Sequence, residues 1–196
     1  PPGRRITATK LALARQTPFV YRADWLFVCD VDEFLVIHAG DHRITDLVTH
    51  PGQPFLGMSI NWKVFGDSGY RCWEDGLTHR THTYAAPSGH STSRWFKSLS
   101  SQTRWFRSLG EHGPSKLDLA RAGQPWGAPG MVWINADGVP VPGWHPDRPY
   151  QRMLPAELVT HKTAQLNHYM IRARDSYELK RGTPAPVSGA DRYTET

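Results

Sequence analysis

Two cysteines in 196 residues cannot build a disulfide framework. No apolar run is long enough to span a membrane, and no stretch has the charged start and apolar centre of a secretory signal. Cys29 lies inside an apolar run and reads as a buried free thiol, which fits a reducing compartment and a cytoplasmic placement. The first residues, Pro1-Pro2-Gly3, lack a Met, so a fragment or a processed product is expected. A strong charge of either sign is also missing. The formal net charge is +5, with the densest basic groups between Arg94 and Arg107 and between Arg172 and Arg181. The sequence pI is about 9.4. Such a balance favours nucleic acid, an anionic membrane surface or a phosphorylated ligand. No recognised nucleic-acid motif accompanies it, so nucleic acid is not an expected partner, while peripheral contact with the inner membrane stays open.

What is present is enough to fold. At 39% hydrophobic the chain can bury a core, and its length fits one domain. Eight Trp residues are many for this length. They suit a sugar-stacking surface but also ordinary packing, and packing is the preferred reading for most of them.

The chain is organised around Trp25-Leu26-Phe27-Val28-Cys29-Asp30-Val31-Asp32-Glu33-Phe34-Leu35-Val36-Ile37. A short apolar run bounded by polar residues reads as a buried strand. If it ends at Asp30 and Asp32, the period of two puts both carboxylates on one side. Like charges at the edge of a core repel, unless a cation or a positive ligand sits between them. Hard oxygen ligands suit Mg²⁺ or Mn²⁺. A plain strand end followed by an acidic turn is the bland alternative.

Around this stretch the pattern predicts an α/β chain. Helices are expected over 6–15, ended by Pro18, and over 41–49. Strands are expected over 25–29, 34–37, 55–64, 131–134 and 160–167. Phe65 to Tyr70 is a glycine-rich turn, and 76–84 is ambiguous between helix and strand. Arg94-Trp95-Phe96-Lys97-Ser98-Leu99 is echoed by Arg104-Trp105-Phe106-Arg107-Ser108-Leu109, read as two amphipathic segments with Trp, Phe and Leu on the core side. Lys97 is kept as a phosphate contact. Residues 110–155 read as a long irregular region. A last helix begins at Asp175, with Glu178 at capping-box spacing, and ends at Gly182. The expected division is one domain over 1–182 and a loose polar tail over 183–196.

Two enzyme classes end a strand in Asp-x-Asp: nucleotide-sugar glycosyltransferases and phosphatases of the haloacid dehalogenase type. The second is the weaker alternative, because Phe34 stands where a Thr or Val is common. The Trp25-to-Leu35 segment, Asn61-Trp62-Lys63-Val64-Phe65-Gly66-Asp67-Ser68-Gly69-Tyr70, Lys97-Ser98-Leu99 and the run from Gln165 to Gly182 occur in an order that resembles bacterial family-2-like glycosyltransferases. The resemblance spans about residues 20–182 and departs at Ala173 and Tyr177. It implies a GT-A fold, a nucleotide-binding α/β sandwich, here without most of the N-terminal half that holds the nucleotide base. It also implies transfer of a sugar from a nucleotide-sugar donor to an acceptor hydroxyl with inversion. Mn²⁺ or Mg²⁺ would be held by Asp30, Asp32 and His168. Donor contacts would come from Asp30, Asp32, Lys97, Arg172, Lys180 and Arg181, and acceptor contacts from Asn61 and Trp62. No catalytic base is singled out; Glu33, Asp67, Glu74 and Asp75 are weak candidates. A non-catalytic sugar- or nucleotide-binding module is the alternative from another class.

Overall fold

The computed structural model describes residues 6–145 and 151–181. The end of the last helix at Gly182 and the tail over 183–196 lie outside them. In chain order the elements are helices α1 (Ile6–Ala14) and α2 (Pro18–Tyr21), strands β1 (Trp25–Phe27) and β2 (Glu33–Ile37), α3 (Ile44–Thr49), β3 (Gly57–Val64) and α4 (Thr78–Thr81). Then follow β4 (Phe96–Ser101), β5 (Phe106–Gly110), β6 (Gly113–Leu117), α5 (Leu119–Ala122), β7 (Trp133–Asn135), β8 (Ala164–His168) and α6 (Arg174–Lys180).

The result is an α/β protein built on one mixed six-stranded sheet, ordered β1-β4-β3-β8-β2, with β7 also on β3. β1 and β3 both run antiparallel to β4, while β7 and β8 run parallel to β3 and β2 runs antiparallel to β8. So β1, β3, β7 and β8 share a direction, and β2 and β4 oppose it. Side chains alternate across a sheet. One face therefore collects Met58 and Ile60 of β3, Leu99 of β4, Ala164 and Leu166 of β8, and the partly buried Trp25, Phe27, Leu35 and Ile37. Leu47 of α3 packs against them. A second cluster gathers Phe96, Phe106, Leu117, Met131, Trp133 and Leu154. Among the described residues no helix is long and apolar enough to cross a membrane.

Several expectations are corrected by local chemistry. Pro18 opens α2 at its first turn, where the missing N–H costs nothing, and α1 has already ended at Ala14. β1 stops at Phe27, and Cys29 is exposed rather than buried. The helix expected from Asp41 starts at Ile44, because the Asp46 carboxylate accepts from the backbone N–H groups of Asp41 (2.9 Å) and Arg43 (3.1 Å) and folds them into a loop. β8 begins at Ala164, not Thr160. Asp137 accepts from the hydroxyls of Thr160 (2.7 Å) and Thr163 (2.6 Å) and holds that approach out of the sheet. Asp175 does not cap α6. The N-cap is Ala173, and the Asp175 carboxylate instead accepts from the Trp73 N–H at 2.7 Å. The region expected to be irregular holds a hairpin of β5 and β6, with Glu111 and His112 between the paired Gly110 and Gly113.

Candidate functional site

On the apolar face of the sheet, four strands end alike: aliphatic residues, then one side chain with chemistry. β2 runs from Ile37 and Leu35 to Glu33, β3 from Met58 and Ile60 to Trp62, β4 from Leu99 to Lys97, and β8 from Ala164 and Leu166 to His168. Glu33 and His168 are direct cross-strand partners. All four lie at one edge, the carboxyl ends of the parallel strands and the amino ends of the opposed ones. The turn after β1 brings Asp30 and Asp32 to the same edge.

The two aspartates are not on a strand. Residues 30–33 form a tight turn, in which the Glu33 N–H donates to the Asp30 carbonyl (3.1 Å) and the Asp30 N–H donates to Glu33 Oε2 (2.9 Å). The period-two argument therefore does not apply, and the two carboxylates part. Lys97 Nζ donates to Asp30 Oδ2 at 2.9 Å and to the Glu111 carbonyl at 2.7 Å, and stands 3.4 Å from Glu33 Oε2. The Lys97 side chain is 1% exposed. The cation that relieves repulsion between Asp30 and Glu33 is thus an ammonium from within the chain, and its three hydrogens face these three oxygens. That leaves it none for a phosphate in this arrangement.

Asp32 turns the other way. Its Oδ1 lies 3.8 Å from His168 Nε2, and its carbonyl accepts from the Tyr169 N–H at 2.9 Å. A separation of 3.8 Å is too long for a hydrogen bond. It is within the span of two ligands around one ion, since bonds of about 2.1 Å set ligands about 3–4 Å apart. Burial lowers the His168 pKa against the pull of Asp32 and Asp30, with Lys97 and Lys180 adding to the lowering, so the ring is neutral and able to ligate. Asp32 and His168 thus offer two donor atoms to an ion. Asp30 is held by Lys97, and among the described residues no group of three His, Cys, Asp or Glu side chains is placed to hold a metal.

Three buried polar atoms without a hydrogen-bond partner among the described residues belong to this cluster: Glu33 Oε1, Trp62 Nε1 and His168 Nδ1. Such orphans are rare in folded proteins and mark places where water or a ligand belongs. Burial raises the Glu33 carboxyl to about 7, with Lys97 opposing and Asp30 adding to the rise. The Trp62 ring is engaged by two neighbours: it stacks on Trp95 at 5.6 Å and meets the tilted His168 ring at 4.3 Å.

Compared with protein-family models, curated proteins and solved structures, the chain matches none.

The other expected residues fall in three places. Asn61 is fully buried, and its amide ties the Ser93 carbonyl (2.9 Å) and the Thr160 N–H (3.4 Å), so it braces two loops. Lys180 is near enough to His168 to influence it, and its Nζ donates to the Met170 carbonyl. Arg181 pairs with Glu178 at 3.1 Å, and the Arg172 carbonyl meets the His82 ring. Asp67, Glu74 and Asp75 are exposed on the segment that leaves the carboxyl end of β3, with Asp67 accepting from the Gly69 N–H. Sequence reasoning missed His112, which stands at the hairpin tip with Nδ1 2.7 Å from the Phe96 carbonyl and its ring 5.8 Å from Trp62. The available signal was two residues bracketed by glycines between short strand-like runs.

Proposed function

We propose that the chain acts in divalent-metal-dependent glycosyl transfer, moving a sugar from a nucleotide-sugar donor to an acceptor hydroxyl with inversion. The observation that carries the reading is the Asp32–His168 pair, set at the edge of the sheet where the parallel strands present their carboxyl ends, with Asp32 partly exposed and His168 buried. Ligands of open α/β sheets bind outside that edge. Asp32 and His168 would hold Mn²⁺ or Mg²⁺, the imidazole favouring Mn²⁺. The ion supplies charge to offset a departing nucleotide diphosphate. Lys97 holds Asp30 and Glu33 in place, which fixes the turn that presents Asp32. Lys180 is the cation of α6 best placed to face the donor. Glu33 is enclosed behind Lys97, so the base that takes the acceptor proton is sought among Asp67, Glu74 and Asp75.

Calorimetric titration of Mn²⁺ with UDP or GDP tests the reading on the wild type and on Asp32→Ala. Metal-dependent nucleotide binding is expected in the first and a loss of at least about tenfold in the second. Equal binding by both proteins removes the basis of the proposal.

A further inference from the structure

The opposite edge of the same sheet carries a second feature. A cleft of about 360 Å³ opens beside the start of β1 and the end of β4. It lies at the low end of the range for small-molecule pockets, about 300–1,000 Å³. It is lined by Trp25, Trp105 and Phe55 together with Asp24, Gln102 and Gln124. Trp25 is braced by Phe55, with ring centroids 5.0 Å apart. Asp30 lies beyond the far end of β1, so the cleft and the carboxylate cluster stand at opposite ends of that strand.

Ser101 of this cleft is tied to the Phe55 and Leu56 carbonyls, but its other polar side chains are unengaged. Among the described residues, the side chains of Asp24, Gln102 and Gln124 make no hydrogen bond, and neither does the indole N–H of Trp25 or Trp105. Gln102 also holds a left-handed backbone, with φ 51° and ψ 45°, a conformation that a residue with a side chain adopts at a cost. The tight turn that results lets the Trp105 N–H donate to the Gln102 carbonyl at 2.8 Å and brings the Gln102 side chain and the Trp105 ring to one wall.

We propose that this cleft is a second binding site, for a neutral saccharide of one or two rings. Charge excludes the nearest rivals. No Lys or Arg lines the cleft and one carboxylate does, so a phosphate or nucleotide would meet repulsion. A wholly apolar ligand would strip water from two amides and a carboxylate without replacing their hydrogen bonds. A sugar ring satisfies both demands. Its C–H face lies on an indole, and its hydroxyls, each donor and acceptor, match amides that donate and accept, a carboxylate that accepts and indoles that donate. The site does not depend on the metal or the donor chemistry of the far edge, so it stands or falls separately.

The test is a titration of ¹⁵N-labelled protein with maltose, cellobiose and lactose, followed at the indole N–H signals. Eight tryptophans give eight such signals, and Trp→Phe variants assign those of Trp25 and Trp105. At least one disaccharide is expected to shift both signals saturably. The double variant Gln102→Gly/Gln124→Ala is expected to weaken that binding at least about tenfold. Glycine suits the left-handed backbone at 102, so the fold is kept. Asp30→Asn should leave the binding unchanged. The proposal is overturned if no disaccharide moves Trp25 and Trp105, if only Trp62 and Trp95 respond, if UDP moves the cleft signals instead, or if the double variant binds as the wild type does.

Discussion

Lys97 shows how one residue can change the meaning of an acidic motif. Its register partner is Ile60, on the apolar face of the sheet, and only the carboxylates at the edge make that placement tolerable. Removing one partner of a buried ion pair leaves the other without compensation and costs about 3–5 kcal/mol. Lys97→Met should therefore lower the unfolding free energy by about 3 kcal/mol or more, the enclosed Glu33 taking most of the effect. Asp30→Asn should cost no more than about 1 kcal/mol, because the Asp30 side chain is 56% exposed and its pairing is screened. Urea denaturation of the two variants separates them, and equal losses would mean that Glu33 is not the partner that matters. His112 supplies a pH signature. Burial lowers its imidazole to about 4, with the Phe96 carbonyl and Asp30 pulling up and Lys97 and Arg152 pushing down. The unfolded value is about 6.5, so between about pH 4 and 6.5 the unfolded chain binds a proton that the folded chain refuses. The stability linked to this ring is complete above that window and falls as pH drops through it, by up to about 1.4 kcal/mol per unit. Glu33, raised to about 7, tilts the opposite way as pH rises. The measurable quantity is thus the difference between the wild type and His112→Gln. Melts at about pH 5 and about pH 7.5 should show the wild type losing ground to the variant at the lower pH; a constant gap would mean that the ring is not held neutral.

Among elements, the β5–β6 hairpin closes the site from above. Its tip supplies the Glu111 carbonyl to Lys97 and the His112 carbonyl to the Ser98 N–H at 3.0 Å. Gly113 makes this approach possible: its φ is +130°, and a Cβ there would stand 2.5 Å from Ser98 Cβ. Gly113→Ala combines backbone strain with overpacking and should cost about 2 kcal/mol or more. Gly123 has φ +68° with nothing within 4 Å of a Cβ, so Gly123→Ala should cost about 1 kcal/mol. Thermal melts rank the two, and a Gly113→Ala protein as stable as Gly123→Ala would place the hairpin away from β4. Elements such as β2 and β8 were legible because their apolar runs sit between polar residues. The hairpin was not, because Gly, Pro and Ser fill its strands and its pairing is set by the turn. The ten-residue echo was legible and has a structural counterpart. In both copies a 3₁₀ turn (Ser91–Arg94, Thr103–Trp105) leads into a strand whose Phe and Leu are buried. Lys97 turns inward in one, whereas Arg107 stays exposed in the other and pairs with Asp118.

At the scale of the molecule, the site was legible as a list of residue types but not as a set of pairs. Which carboxylate meets Lys97 and which meets His168 depends on register across β2, β4 and β8, segments far apart in the chain, and on a turn where a strand was expected. The same long-range pairing ties the two hydrophobic clusters together. Met58 and Ile60 of β3 belong to one cluster. Ser59, between them on the opposite face, accepts from the Trp133 indole of the other at 2.9 Å. Gly57 lies under that indole, where a Cβ would stand 2.3 Å from it. One strand thus forms the wall of both clusters, and neither can loosen without exposing the back of the other. Leu166→Ala in the first cluster and Leu154→Ala in the second should each cost about 2–5 kcal/mol, since both leucines are fully buried. Both should shift one common transition. The stacked Trp133 and Trp144, 4.1 Å apart, report on the second cluster in near-ultraviolet circular dichroism, while the far-ultraviolet signal reports on the whole sheet. Coincident curves in both variants are the expected outcome. A Leu166→Ala protein that loses its sheet signal before its indole signal would show two units joined only by the chain, and the carboxylate edge would then belong to one of them alone.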